Sequence, residues 1–158
     1  MKAVFDTSPI CYLLLIGEIK LLPALYDQLL IPRAVAVELT HPEAPLILRS
    51  WMADPPAWLE IHPIRPRSSS DLDRLQLGER EAILLAEDVG ADQIVLDDLA
   101  AREAAWRRGL EVTGLLGILD QAAKRSLVDL SGAVERLRKT SFHAAPSLLN
   151  NLLDRHTR

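Results

Sequence analysis

The 158-residue sequence predicts an α/β sandwich on a mainly parallel sheet, and three observations carry that expectation. Short apolar runs, Ala3-Val4-Phe5, Leu29-Leu30-Ile31 and Ile94-Val95-Leu96, alternate with long stretches at helical spacing. Connections of that kind are crossovers rather than hairpins, and crossovers make parallel strands. Two of the runs end in acidic residues, Asp6 and Asp97-Asp98, at the carboxyl strand ends where open α/β sheets gather ligands. Finally, 49% hydrophobic residues suffice for one core, and a net charge of -4 is too small for a disordered chain.

Ala3-Val4-Phe5 reads as a buried strand, and Asp6-Thr7-Ser8-Pro9 opens a helix, because proline suits a first turn whose N–H groups lack partners. That helix runs from Ile10 to Ile16, where Gly17 breaks it, and Glu18 to Gln28 sets Ile19, Leu21, Leu22 and Leu25 at the spacing of a second. Leu29-Leu30-Ile31 is a strand closed by Pro32. In Arg33 to Thr40 the residues Val35, Val37 and Leu39 alternate, but Ala34, Ala36 and Glu38 favour helix, which His41 and Pro42 end. Glu43 to Met52 is helical up to Asp54-Pro55-Pro56, Trp58 to Ile64 alternates like an edge strand, and Arg65 to Asp73 is a polar loop. Leu77 to Val89 places Ala82, Ile83, Leu85 and Ala86 on one helical face before a Gly90 C-cap. Ile94-Val95-Leu96 is a strand, Ala100 to Arg108 a helix stopped by Gly109, and Leu110 to Thr113 a strand. From Leu115 the pattern is three helices broken near Asp129 and near His143 to Pro146, so residues 1–158 form one domain with 115–158 a helical segment packed on it.

Composition narrows the chemistry. A single cysteine, Cys11, makes no internal disulfide, no stretch reads as a secretion signal or membrane span, and a cytoplasmic protein is expected. Residues 1–98 carry 8 basic and 16 acidic groups, net -8, whereas 99–158 carry 10 and 6, net +4. The basic half can steer a polyanion past an acidic half that holds cations, so a nucleic-acid substrate remains open. The seven glycines form neither a dinucleotide fingerprint nor a P-loop, the four histidines have no zinc spacing, and no nucleophile elbow is present.

What remains is carboxylate: Asp6, Glu38, Glu79, Glu81, Asp97 and Asp98, which a parallel sheet can gather at one rim. Blandly read, Asp6 and Asp98 cap helices, Glu79 and Glu81 complement a helix dipole, and Glu38 is an exposed helix position. Gathered carboxylates raise one another's pKa unless a cation compensates, and oxygen-only ligands select Mg²⁺ or Mn²⁺. The reaction class that follows is metal-assisted phosphodiester hydrolysis.

Asp6-Thr7-Ser8 after the first strand, Glu38 in Val35-x-x-Glu38-Leu39, Gly78-Glu79-Arg80-Glu81-Ala82-Ile83, and Ile94 to Asp98 resemble the ordered acidic motifs of PIN domains, the fold of the VapC toxin ribonucleases. Val112 to Leu119 and the following helices resemble the C-terminal segment of an uncharacterised bacterial and archaeal PIN-like branch. The resemblance implies a three-layer α/β/α PIN-like sandwich with a mainly parallel sheet of four to five strands. It implies a Mg²⁺- or Mn²⁺-dependent endoribonuclease, the toxin of a toxin–antitoxin pair, with RNA as substrate, a small antitoxin protein as partner, and homodimers. Asp6, Glu38, Asp97 and Asp98 would be catalytic, with Glu79 among the metal ligands and Ser8 and Glu81 in secondary roles. The family commonly places Asp where Glu79 falls and Thr-x-Asp where this chain has Leu96-Asp97-Asp98, which leaves open which of Glu79, Glu81, Asp97 and Asp98 touch metal.

Three other readings share the outline: an inactive PIN-like binding module, a metal-dependent phosphatase, and a phosphoacceptor receiver domain. The phosphatase wants Asp where Ser8 stands, and the receiver a better lysine than Lys124. Ile10, Leu13, Leu14, Leu22 and Leu25 are expected to support dimerisation, and Leu148, Leu149, Leu152 and Leu153 to form the buried face of the last helix. Arg65, Arg67 and Ser68 to Ser70 read as a mobile polar loop rather than a phosphate grip, and Arg102, Arg107 and Arg108 as exposed helix positions rather than a lining of the groove. Trp51, Trp58 and Trp106 read as core or interface rather than base-stacking platforms, and Cys11 as a small buried hydrophobe rather than a nucleophile.

Overall fold

The strands β1 (Lys2–Phe5), β2 (Gln28–Pro32), β3 (Leu59–His62), β4 (Gln93–Val95) and β5 (Val112–Thr113) form one sheet in a computed structural model, which describes residues 1–144 and 146–156. Their order is β3-β2-β1-β4-β5 and every pairing is parallel. Chain order runs outward from β1 to one edge through β2 and β3, then returns to β4 on the other side. The switch point therefore lies between β1 and β4, and it opens the crevice at the carboxyl ends of those two strands.

Alternate strand residues feed two cores, as the two-residue period demands. Ala3, Phe5, Leu29, Ile31 and Val95 face α1 (Thr7–Leu15), α2 (Leu21–Leu25), α3 (Arg33–Leu39), α4 (Leu46–Ala53), α7 (Leu115–Lys124), α8 (Leu130–Arg138) and α9 (Pro146–His156). Val4, Leu30, Ile94 and Leu96 face α5 (Leu77–Val89) and α6 (Leu99–Arg107). The result is the expected three-layer α/β/α sandwich with a five-stranded sheet.

Several boundaries differ from expectation for local reasons. The helix expected over Glu18 to Gln28 shrinks to Leu21–Leu25, because Tyr26 is already extended and Gln28 pairs with Lys2 in the sheet. Pro23 fits that short helix because it sits in the first turn. The fourth helix begins at Leu46 rather than Glu43, since Pro45 keeps the residue before it out of the helical region. The 65–73 segment is anchored, with a 3-10 turn at Ser70–Leu72 whose Leu72 is fully buried. Arg67 is clamped onto Asp88, Glu87 and the Leu84 carbonyl, which corrects the expected mobile loop.

The apolar face assigned to dimerisation is corrected as well. Ile10, Leu13, Leu14, Leu22 and Leu25 are all buried within the subunit, in the same core as Leu115, Ile118, Leu119, Val134 and Leu137 of the C-terminal helices. Leu149 and Leu152 join that core and Leu153 packs against it, whereas Leu148 is 54% exposed on the outer side of α9. His156 and Asp120 share a 2.8 Å hydrogen bond that ties α9 to α7.

Truncating Leu152 should leave a cavity between α9 and its neighbours. Leu152→Ala is expected to cost about 2–5 kcal/mol, read as a lower midpoint in chemical denaturation; an unchanged midpoint would mean that α9 contributes nothing to the fold. Burial pushes Asp120 up, but His156, Lys124 and Arg155 outweigh it and hold the carboxyl below the usual 3.8. A carboxylate so depressed contributes stability above that value and loses it as the pH falls through its folded pKa. The acid limb of unfolding free energy against pH should flatten in Asp120→Asn, and an identical limb in both proteins would refute the coupling.

Candidate active site

Asp6 follows β1 directly and is held at the switch point by its own backbone, whose N–H donates to the Val95 carbonyl of β4 at 3.2 Å. It occupies the N-cap position of α1, yet its side chain caps nothing. The bland reading of Asp6 as a helix cap therefore fails. The carboxylate is only 6% exposed and burial raises it; the Thr7 amide pulls it down, and Glu79, Glu38 and Asp97 push it up again, to about 7.

A cleft of about 500 Å³ opens over it. Asp6, Glu38, Glu79 and Asp98 supply its acidic groups, Ser8 stands at its edge, and Arg74 is its one basic side chain among the described residues. Glu38 arrives on α3 and accepts a short hydrogen bond from the Thr7 hydroxyl. Its other oxygen lies against α5 at Gly78, where an added Cβ would come within 2.6 Å of Oε1. A side chain at that position would push the Glu38 carboxylate aside, so glycine leaves it in place beside the helix backbone.

Glu79 is the third residue of α5 and closes a capping box with Gln76, accepting from the Gln76 N–H at 3.0 Å. Burial raises its pKa, the Gln76 amide opposes this, and Asp98 and Glu38 add to the rise. Asp98 is the N-cap of α6 and accepts from the Ala101 N–H at 3.0 Å, so its bland role is real, but it also faces the cleft. Asp97 lies behind the cleft. Its Oδ1 accepts from the Leu115 N–H at 2.9 Å at the start of α7, while its Oδ2 is buried without a hydrogen-bond partner among the described residues. Burial raises its pKa against the Leu115 amide and the Arg102 charge.

Glu81 stands apart from the other acids. Its carboxylate accepts from the Ala34 N–H at 3.1 Å and holds the start of α3, outside the residues that line the cleft. Ser8 lies inside the first turn of α1, exposed, and is not the N-cap. Among the described residues no three His, Cys, Asp or Glu side chains stand together closely enough to enclose an ion between them.

Thr7, Arg74 and Gln76 also line the cleft, and sequence reasoning misses all three. Gln76-x-x-Glu79 carries a capping-box spacing that can mark the start of α5, and Thr7 stands inside Asp6-Thr7-Ser8; nothing in the sequence distinguishes Arg74 from its neighbours. The other basic candidates are engaged elsewhere. Arg102 donates to the Leu96 carbonyl at 2.9 Å, and Arg108 binds both oxygens of Asp71 as well as Glu87. Trp51 and Trp58 pack together with ring centres 5.9 Å apart, whereas Trp106 is 72% exposed. Cys11 is half-buried and burial pushes its thiol up, which suits a small hydrophobe.

A carboxylate raised by burial, and further by like charges, destabilises the fold once it ionises. In chelator, the protein should lose stability as the pH climbs from about 4 to 7, because the unfolded chain ionises Asp6 more easily. Asp6→Asn removes that slope and should melt at or above the temperature of the parent at neutral pH. A variant that unfolds would assign Asp6 to the structure instead.

No curated protein and no solved structure matches the chain. A family model does: the one describing a PIN domain matches residues 2–158. Members of that family are generally nucleases. With a match over nearly the whole length and acids gathered at the switch point of a parallel sheet, the chain belongs to the PIN domain family.

Proposed function

We propose that the protein is a metal-dependent endoribonuclease that hydrolyses RNA phosphodiester bonds in the cytoplasm, as the toxin of a toxin–antitoxin pair, with Mg²⁺ or Mn²⁺ as its ion. One observation carries this reading: Asp6 is buried at the switch point, caps no helix, and has Glu38, Glu79 and Asp97 near enough to repel it. A fold keeps such a group at a cost to itself, and a cation is what relieves that cost.

The donor set fits a hard cation, since the cleft presents carboxylate and hydroxyl oxygens and no sulfur or imidazole. Asp97 Oδ2, buried and without a hydrogen-bond partner among the described residues, adds to the negative field beneath it. Mg²⁺ suits an open arrangement of this kind, because it keeps several waters and takes only one or two protein carboxylates together with substrate phosphate. Asp6 and Glu38 would hold it. When bound, such an ion polarises a scissile phosphate and lowers the pKa of an attacking water.

The remaining residues position and orient. Thr7 holds Glu38 through its hydroxyl, and Gly78 gives the carboxylate room. Glu79 and Asp98 each use one oxygen on a backbone amide and keep a second to accept from water. Ser8, exposed at the edge, can donate to a phosphate oxygen.

Among the described residues no helix is long and apolar enough to cross a membrane. The small antitoxin that this reading calls for has apolar footing in Val37 of α3 and Leu46 and Ile47 of α4, all exposed on helices that touch one another. Homodimerisation belongs to the same reading, through surfaces other than the buried α1–α2 pair.

A second reading, a catalytically silent PIN-like binding module, draws on the capping roles of Glu79, Asp97 and Asp98 and on the lack of an enclosed three-ligand set among the described residues. Cleavage of labelled RNA in Mg²⁺ and Mn²⁺ decides between them. Asp6→Asn and Glu38→Gln should each lose about 100-fold or more in rate with the fold intact, while Glu81→Gln, outside the cleft, should keep activity. RNA cleavage that survives Asp6→Asn would overturn the site, and RNA binding without cleavage in either ion would favour the silent module.

A further inference from the structure

The acidic cleft is not closed at its Arg74 end. Arg74, Leu75 and Ala100 line it and also line a second, smaller groove of about 140 Å³ between residues 71–75 and α6, so the two adjoin and can serve together as a channel. Its far part is lined by Asp71, Glu103, Ala104 and Arg107. We infer that a single RNA strand leaves the acidic cleft along this channel, with Arg74 and Arg107 holding successive phosphates beyond the scissile one and exposed Trp106 offering a face to a base.

The inference rests on the nuclease reading above and adds the path of the substrate. Arg74 is exposed and shares its cleft with four carboxylates, yet among the described residues it makes no hydrogen bond and no ion pair. A guanidinium left free beside so much negative charge is available to an anion brought from outside, and its planar fork matches a phosphate. Some such group is required, because an acidic cleft by itself repels a polyanion.

The two carboxylates of the second groove do not undo this. Asp71 has both oxygens taken by Arg108, at 2.9 and 2.7 Å. Glu103 pairs with Arg107 at 2.7 Å, but both side chains are more than half exposed, and an exposed pair one helical turn apart is weak enough to exchange for a phosphate. Arg107 follows Trp106 directly, and Leu99 and Trp106, seven residues apart, stand on one exposed side of α6 beside the groove. An exposed indole is a stacking platform for an unpaired base, which favours a single strand over a duplex.

The test is binding of a fluorescent single-stranded RNA to the full-length Asp6→Asn protein over a range of salt concentrations, with wild-type cleavage of the same RNA in Mg²⁺ measured separately. Adding Arg74→Ala or Arg107→Ala should weaken binding and lower the slope of log K against log salt by about 0.7 for each phosphate that the protein no longer neutralises. Arg74→Lys should restore most of the slope. Trp106→Ala should weaken binding and leave the slope unchanged, since stacking releases no counterions. Arg125→Ala, an arginine outside both grooves, serves as the charge-matched control and should change neither. In wild-type background the arginine variants should raise KM more than they lower kcat. Slopes that match the parent in both arginine variants, or an Asp6→Asn protein that binds no RNA, would overturn the path. Wild-type cleavage that persists alongside either result would leave the nuclease reading standing, whereas its absence would remove that reading too.

Discussion

Asp6 is set into an apolar sheet end by the chain on both sides of it. Fully buried Phe5 precedes it and buried Pro9 and Ile10 follow, so the backbone can neither lift the carboxylate into water nor turn it to cap α1. Ionising such a group is costly in proportion to its burial and to the like charges around it. Much of the surrounding architecture responds to that single constraint. Thr7 donates to Glu38, Gln76 to Glu79, Ala101 to Asp98 and Leu115 to Asp97, so each neighbouring acid is stabilised by a donor, whereas at Asp6 burial outweighs the pull of the Thr7 amide.

Those donors are mostly helix N-terminal amides, and this explains how several acids tolerate one another. The starts of α5, α6 and α7 each carry unpaired N–H groups and the positive end of a helix dipole, and each takes one carboxylate of the group. Capping and site formation are thus the same contacts. An acid that caps a helix is pinned in place, and its second oxygen is left for other work. Glu81 shows the limit of the rule: it serves α3 in the same way, but on the side of α5 turned from the cleft.

Several of the basic side chains are taken up within the protein. Arg67 and Arg108 meet Glu87, Asp88 and Asp71, and Arg136 meets Glu18, so these side chains are engaged with the protein itself. Net charge counted along the sequence overstates what is available to a partner. What counts is the residue left over after pairing, and Arg74 is such a residue although the 99–158 segment excludes it.

Local pattern determined the strands and most of the helices, because side-chain period and punctuation act over a few residues: Leu29-Leu30-Ile31 before Pro32, or Ala82 to Ala86 before Gly90, hold their information within one turn or one strand. It also indicated that the segments carrying Asp6, Glu38, Glu79, Glu81, Asp97 and Asp98 could be gathered at one rim, since crossover connections leave a parallel sheet little choice. It did not separate Glu81 and Asp97 from the four that line the cleft. Tertiary structure decided the rest. The leucines of α1 and α2 look equally apolar whether they meet a second subunit or α7 and α8, and only the return of the C-terminal helices over that face buries them within the chain. Asp6 and Asp98 both follow strands and precede helices; whether such a carboxylate turns to its own helix or stays uncapped depends on packing against segments remote in sequence, as between Asp6 and Val95, and no local pattern encodes that.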